Sequence, residues 1–201
     1  KGHKDVILSY LLSDLPFKST LILNGNYDNI QQLSINSFFS KPISVLREIV
    51  MRLQGKSPYN IMKLAKNNTN SSKQFIFTNL ERPKLIQTFF EADLFLFASH
   101  VEYSPLVIFE CLASGLPFIS TDVGNVDEIV QWSNGGVICN STKSKNGNTQ
   151  VDPKELSSQI LKISVDRKYL QQLSTDGHQA WKKKFTWEII ANQIEALATV
   201  D

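Results

Sequence analysis

Five short apolar runs punctuate this chain: Thr20–Leu23, Phe75–Phe77, Leu94–Phe97, Phe118–Thr121 and Gly136–Ile138. The last four are separated by stretches patterned as helices. The runs do not alternate apolar with polar residues. A strand with one wet face alternates, whereas a strand covered on both faces does not. Repeated strand–helix units with such strands dictate an α/β architecture, a parallel sheet with helices on both faces.

The intervening segments complete the pattern. His3 to Leu15 carries a helical stripe of Val6, Ile7, Tyr10, Leu11 and Leu15, stopped before Pro16. The first strand ends in Asn24-Gly25-Asn26. The polar stretch Tyr27–Lys73 predicts two helices, Ile43–Leu53 after Pro42 and Tyr59–Lys66 after Pro58, then an Asn/Ser-rich loop over 67–72. Further helices are predicted over Pro83–Glu91, Pro105–Ser114 (closed by Gly115) and Val126–Trp132. From Pro153 to residue 201 the chain reads as helical, with a break near Phe185-Thr186. Trp187, Ile190 and Ile194 fall at helical spacing and are expected to pack.

With 201 residues, 42% of them hydrophobic, the chain suits one domain with a sizeable core. A net charge of +2 gives no electrostatic case for a nucleic-acid partner. Cys111 and Cys139 sit in apolar contexts without metal-ligand spacing, as expected of free thiols in a reducing, cytoplasmic setting. No apolar run approaches the roughly 18 residues that span a bilayer. Trp181-Lys-Lys-Lys184 has the composition of a membrane-surface patch, so peripheral association at the inner face of a membrane is a partner to weigh; a solvated helix face is the commoner meaning of so short a run. Lys1-Gly2-His3 leads straight into a helix, with no methionine or signal peptide before it, and reads as cut from a longer protein.

The chemistry concentrates in Glu102-Tyr-Ser-Pro-Leu-Val-Ile-Phe-Glu110, which follows a buried strand and opens a helix. It therefore lies at the carboxyl end of a parallel sheet, where open α/β folds bind ligands. Ser104 is a suitable N-cap and Pro105 a suitable first helical residue. The amides of Leu106 and Val107 then lack intrahelical partners and face outward with the positive end of the helix dipole, an anion site suited to a diphosphate. Glu110 lies five residues past Pro105, on the order of 8 Å along the axis, a reach that suits the vicinal hydroxyls of a ribose. Glu102 sits on the sugar side of the phosphates. His100, at the strand end, is within reach of a sugar or phosphate bound there, and a loop histidine with an ordinary hydrogen bond is its equal alternative. Two glutamates at this spacing and nothing else more often mean a capped helix with two solvated carboxylates.

The surroundings carry a more specific resemblance. Glu102 and Glu110 form the E-x7-E motif of retaining GT-B glycosyltransferases, and the chain resembles glycosyltransferase family 4, the glycosyl transferases group 1. Cys111-Leu-Ala-Ser-Gly-Leu-Pro-Phe-Ile119 and Thr121-Asp-Val-Gly-Asn-Val-Asp-Glu-Ile129 are similar to the segments that follow that motif in the family. Phe77-Thr-Asn-Leu-Glu-Arg82, Ala92-Asp93 through Ser99, Phe185-Thr-Trp-Glu188 and Lys1-Gly-His3 match further blocks in order. Only Tyr27–Ser72, longer than usual, falls outside. The resemblance implies a Rossmann-like donor-binding domain over 1–201, one half of a GT-B fold, with terminal helices over about 153–201. The first strand and an N-terminal acceptor domain are then missing.

By the same resemblance, Glu110 holds the ribose and Glu102 lies by the transferred sugar. Lys1 neutralises the diphosphate beside an arginine that this chain does not contain. Leu106 and Val107 supply phosphate-facing amides next to Ser104, Leu80 and Arg82 border the nucleobase, and Gly124-Asn125 lies near sugar and acceptor. Ser104-Pro105 stands where the family has an aromatic–glycine pair, Thr78 where it commonly has glycine, and Asn125 where it has the second of two glycines. The implied reaction is transfer from a nucleoside-diphosphate sugar to a glycan or lipid-linked acceptor, with retention, as in polysaccharide biosynthesis. No cofactor is implied: no Asp-x-Asp or His cluster suggests a metal, and amides plus Lys1 would stabilise the leaving charge instead. Rival readings are a non-catalytic nucleotide-sugar-binding domain and another GT-B enzyme such as a nucleotide-sugar epimerase.

Overall fold

The computed structural model describes residues 2–25, 65 and 72–198. Lys1, the helix expected over 43–53 and that over 59–66 lie outside the described residues, save Ala65, which is helical and buried. The chain divides into two compact units, parted between Ser13 and Asp14 and again between Arg82 and Pro83.

The smaller unit holds β1 (Ser19–Asn24) and β2 (Lys73–Thr78), paired in parallel from Ser19 opposite Lys73 to Asn24 opposite Thr78. Both strands are longer than their apolar centres because the ladder recruits flanking polar residues. Their burial alternates, leaving Ile22 and Ile76 exposed, which corrects the expectation of strands covered on both faces here. The Asn24 side-chain oxygen accepts the Leu80 N–H at 2.8 Å and folds the segment after β2 back over the end of β1.

The larger unit begins with α1 (His3–Leu12), which stops at Ser13 rather than running on to Leu15. After α2 (Arg82–Glu91) come β3 (Phe95–Phe97), α3 (Leu106–Ser114), β4 (Phe118–Thr121), α4 (Val126–Ser133) and β5 (Gly136–Cys139). The three strands form a parallel sheet in sequence order, with Phe95 opposite Phe118 and Phe118 opposite Gly136. All four β4 residues are buried, as a central strand covered by helices must be. Next comes an antiparallel hairpin of β6 (Ser141–Lys143) and β7 (Thr149–Val151), then α5 (Pro153–Val165), α6 (Arg167–Lys184) and α7 (Trp187–Ala198). α1 packs on α5, and α3 and α4 pack on α6.

Helix ends follow their local chemistry. Asp152 accepts the Lys154 N–H at 2.9 Å and Asp166 the Tyr169 N–H at 3.0 Å, capping α5 and α6. Asp166 thereby breaks what the sequence presented as one helical stretch. Gly115, left-handed at φ 69°, ends α3 and lets the Leu116 N–H return to the Cys111 carbonyl.

The core gathers Ile108, Cys111 and Leu112 of α3 with Leu116, Phe118, Val123, Val126 and Ile129. Burying each large side chain stabilises the unit by roughly 1.5–3 kcal/mol, so α3 and the loop after β4 are held firmly where they carry site residues. Phe185 extends this core by meeting Phe109 edge-on at 5.1 Å. Trp187 and Ile194 depart from expectation: both are exposed, with Leu197, on α7, where no residue is buried. Helical spacing identifies an apolar face but not whether anything covers it.

Candidate functional site

The site is built where β3, β4 and the starts of α1 and α3 meet. Gly2, at the head of α1, lies so close to the end of β3 that a Cβ there would meet the Ala98 carbonyl oxygen at 1.6 Å. This brings the first turn of α1 to the loop after β3. Asp5 in that turn then contacts His100, its Oδ2 lying 2.7 Å from Nε2. The sequence offered Asp5 no role and His100 two; the structure engages the His100 ring with a carboxylate on α1.

Just before His100, the buried Ser99 donates its hydroxyl to Glu102 Oε1 at 2.9 Å. The partly buried Glu102 carboxylate is thereby held in one orientation at the loop's turn. Pro105 is extended (φ −75°, ψ 106°), and its carbonyl accepts the Ile108 N–H at 3.0 Å, so α3 starts at Leu106. Ser104 is exposed and makes no capping hydrogen bond, contrary to the expected N-cap. Proline one position later already sits in the non-helical conformation that ends the loop, so the capping position moves to it. Leu106 and Val107 remain first-turn residues, where amides have no intrahelical acceptor. Glu110 is partly buried, one turn further along α3.

The loop after β4 closes on the same place. The Thr121 hydroxyl donates to the Ser99 carbonyl at 2.7 Å, and the Asn125 N–H donates to the Tyr103 carbonyl at 3.0 Å. Gly124 adopts φ 56°, and a Cβ there would lie 2.2 Å from the Tyr103 carbonyl oxygen. That contact explains the glycine physically: both its left-handed backbone and its closeness to the Glu102–Tyr103 peptides exclude a side chain. Asn125 Oδ1 is buried without a hydrogen-bond partner.

Thr149, at the start of β7, completes the arrangement. Its N–H donates to the His100 carbonyl at 2.9 Å and its hydroxyl to the Asp122 carbonyl at 3.1 Å. The sequence reading missed this hairpin. Its signal was Asn146-Gly147 between β-prone segments, with Gly147 at φ 76°.

The structure thus brings together Glu102, His100, Gly124, Asn125 and the start of α3. Leu80 and Arg82 belong to the smaller unit, where the Leu80 amide is taken by Asn24 and Arg82 is exposed. Among the described residues no group of three or more His, Cys, Asp and Glu could hold a metal ion, and no helix is long and apolar enough to cross a membrane. Both cysteines are free and buried.

Parallel strands feeding helix N-termini, with carboxylates at the carboxyl ends, define a Rossmann-like α/β domain. Residues 35–179 match the family described as glycosyl transferases group 1, and the chain belongs to that family. Over 106 residues it is 26% identical to N-acetyl-alpha-D-glucosaminyl L-malate synthase of Bacillus anthracis, covering 53% of this chain and 26% of that one. It superposes on the sucrose-phosphate synthase of Thermosynechococcus elongatus with TM-score 0.61 at 21% identity, over 98% of this chain and 41% of that one. Anabaena HepE in complex with UDP-glucose gives 0.56 at 19%, over 97% and 45%. The C-terminal domain of the group 1 family protein LpcC from Francisella tularensis gives 0.58 at 15%, over 93% and 80%. The chain therefore spans about a quarter of the curated relative and less than half of the two longer structures.

Proposed function

We propose that this chain is the donor-binding domain of a cytoplasmic, retaining, metal-independent glycosyltransferase. A single observation carries the reading: two glutamates, Glu102 in the loop and Glu110 on the helix, flank the N-terminal turn of α3 at the sheet's carboxyl end. The Leu106 and Val107 amides with the helix dipole take the diphosphate, Glu110 the ribose hydroxyls, and Glu102 the transferred sugar. Lys1 adds positive charge to the phosphates. In the reaction the anomeric carbon loses its bond to the diphosphate oxygen and gains one to the acceptor's hydroxyl oxygen on the same face, the hydroxyl proton passing to the departing diphosphate or to a general base. Amides already aimed at the departing oxygens need no reorganisation as charge develops there, which is the physical source of the rate. The acceptor, a glycan or lipid-linked precursor, and any general base are supplied by an N-terminal domain of the longer protein.

Support for the donor class comes from the family and from the UDP and UDP-glucose complexes of a structural neighbour. The test is a thermal-shift screen of the chain against UDP-, GDP-, ADP- and CMP-sugars. A ligand that binds the native state raises the melting temperature by mass action, by roughly 2.7 kcal/mol of stabilisation at a hundredfold excess over Kd. Stabilisation by one nucleotide class supports the reading, and no response to any of them defeats it.

A further inference from the structure

The β6–β7 hairpin lies outside every motif that suggests donor binding, yet it touches both loops that do. Thr149 is 3% exposed. Its N–H on the His100 carbonyl holds the loop after β3, and its hydroxyl on the Asp122 carbonyl holds the loop after β4. Two other ties join those loops directly, Thr121 to the Ser99 carbonyl and the Asn125 N–H to the Tyr103 carbonyl. The first lies at the strand ends and the second beside Glu102. Thr149 approaches from the hairpin, outside both loops, and bonds to each of them. The far side of His100 is fixed to α1 through Asp5. The hairpin itself is closed by the Ser144 N–H on the Asn148 carbonyl and the Gly147 N–H on the Ser144 carbonyl, so Thr149 is presented from a formed turn.

We propose that Thr149 is a positioning residue that sets the spacing between the Glu102 loop and the Gly124–Asn125 loop, and so tunes recognition of the donor's sugar rather than of its nucleotide. The proposal rests on the donor-binding reading above. Its physical basis is that the nucleotide diphosphate is held by α3, whose place is fixed by the core. The sugar is held by two loops whose separation depends on a few hydrogen bonds. Loosening one of these alters the sugar's contacts while leaving the helix where it is.

The experiment compares T149V and T149S with the wild-type chain. Valine keeps the volume, the β-branching and the main-chain N–H, and removes only the hydroxyl bond to Asp122; serine restores it. Amide hydrogen exchange is followed at Asn125 and at position 149 without ligand. Calorimetric titrations use UDP, GDP and ADP, each beside its glucose conjugate. T149V is expected to speed exchange at both amides and to weaken the nucleotide-sugar about three- to tenfold, the range for losing one neutral hydrogen bond. The bare diphosphate should stay within about twofold, and T149S should behave as wild type. Unchanged exchange in T149V, or equal losses for diphosphate and nucleotide-sugar, overturns the positioning role while leaving the donor-binding reading intact. A wild-type chain that binds none of the six probes overturns that reading and the proposal with it.

Discussion

The Ser99 hydroxyl donates to the Glu102 carboxylate at 2.9 Å from a position that is itself 4% exposed. A carboxylate in a loop normally samples several rotamers. Here a buried donor two residues past the end of β3 selects one, and that donor is in turn fixed because the Thr121 hydroxyl binds its carbonyl. Replacing Ser99 by alanine should therefore release Glu102 without emptying the core. Expected is a stability loss of about 0.5–1.5 kcal/mol in urea unfolding, with affinity retained for the bare nucleoside diphosphate that the screen selects and reduced for its sugar conjugate. Equal retention of both ligands would show that the orientation of Glu102 has no bearing on the sugar.

The two glutamates should separate by ligand. Glu110→Gln keeps shape but loses a charge-assisted hydrogen bond, about 1.5–3 kcal/mol, so affinity for the bare nucleoside diphosphate should drop about ten- to a hundredfold. Glu102→Gln should leave that affinity nearly unchanged and weaken binding of the nucleotide-sugar. Calorimetric titration of the diphosphate into both variants decides it, and parallel losses would contradict the division of roles.

Glycine substitutions distinguish backbone strain from steric exclusion. Gly124 and Gly147 both have positive φ, so alanine at either costs roughly 1–2 kcal/mol. At Gly147 nothing lies within 4 Å of the added Cβ, whereas at Gly124 the Tyr103 carbonyl lies 2.2 Å away. Gly124→Ala should then lose clearly more stability than Gly147→Ala in denaturant titrations, and should weaken binding of whichever nucleotide-sugar the screen selects. Similar losses would mean that the loop yields without cost.

Alkaline pH should destabilise the chain through its cysteines. Burial pushes the Cys111 thiol well above its ordinary value of 9.0 and that of Cys139 up to about 11. Between pH 9 and 11 the unfolded chain has released these protons while the native one keeps them. Stability supplied below pH 9 is therefore lost as pH rises through that window. Thermal melts from pH 8 to 11 should fall progressively, and a Cys139→Ala variant should show a shallower decline than wild type.

Chelation is the remaining test. Nucleotide affinity is expected to be the same with and without EDTA, since the amides of α3 and Lys1 are assigned the work a divalent ion would do. A clear loss on chelation would refute the metal-free mechanism.

Most of the framework was legible in the residues themselves. Continuous apolar runs announced β3, β4 and β5, although only the central β4 is buried at every position, and Gly115 announced the end of α3 because only glycine takes its left-handed turn without strain. The Glu102 to Glu110 spacing placed one carboxylate before a helix and one upon it, since a helix has a fixed rise per residue. The cap on α3 was misread by one residue, Ser104 for Pro105, because both are plausible at a loop–helix junction and only backbone geometry chooses. Trp187 and Ile194 were expected to pack and are exposed, because periodicity describes a helix face and not its partner. The contacts that shape the site were invisible for a different reason. Asp5 meets His100 across 95 residues and Thr149 meets Asp122 across 27, and no local pattern encodes a pairing that exists only once the sheet has brought strand ends side by side.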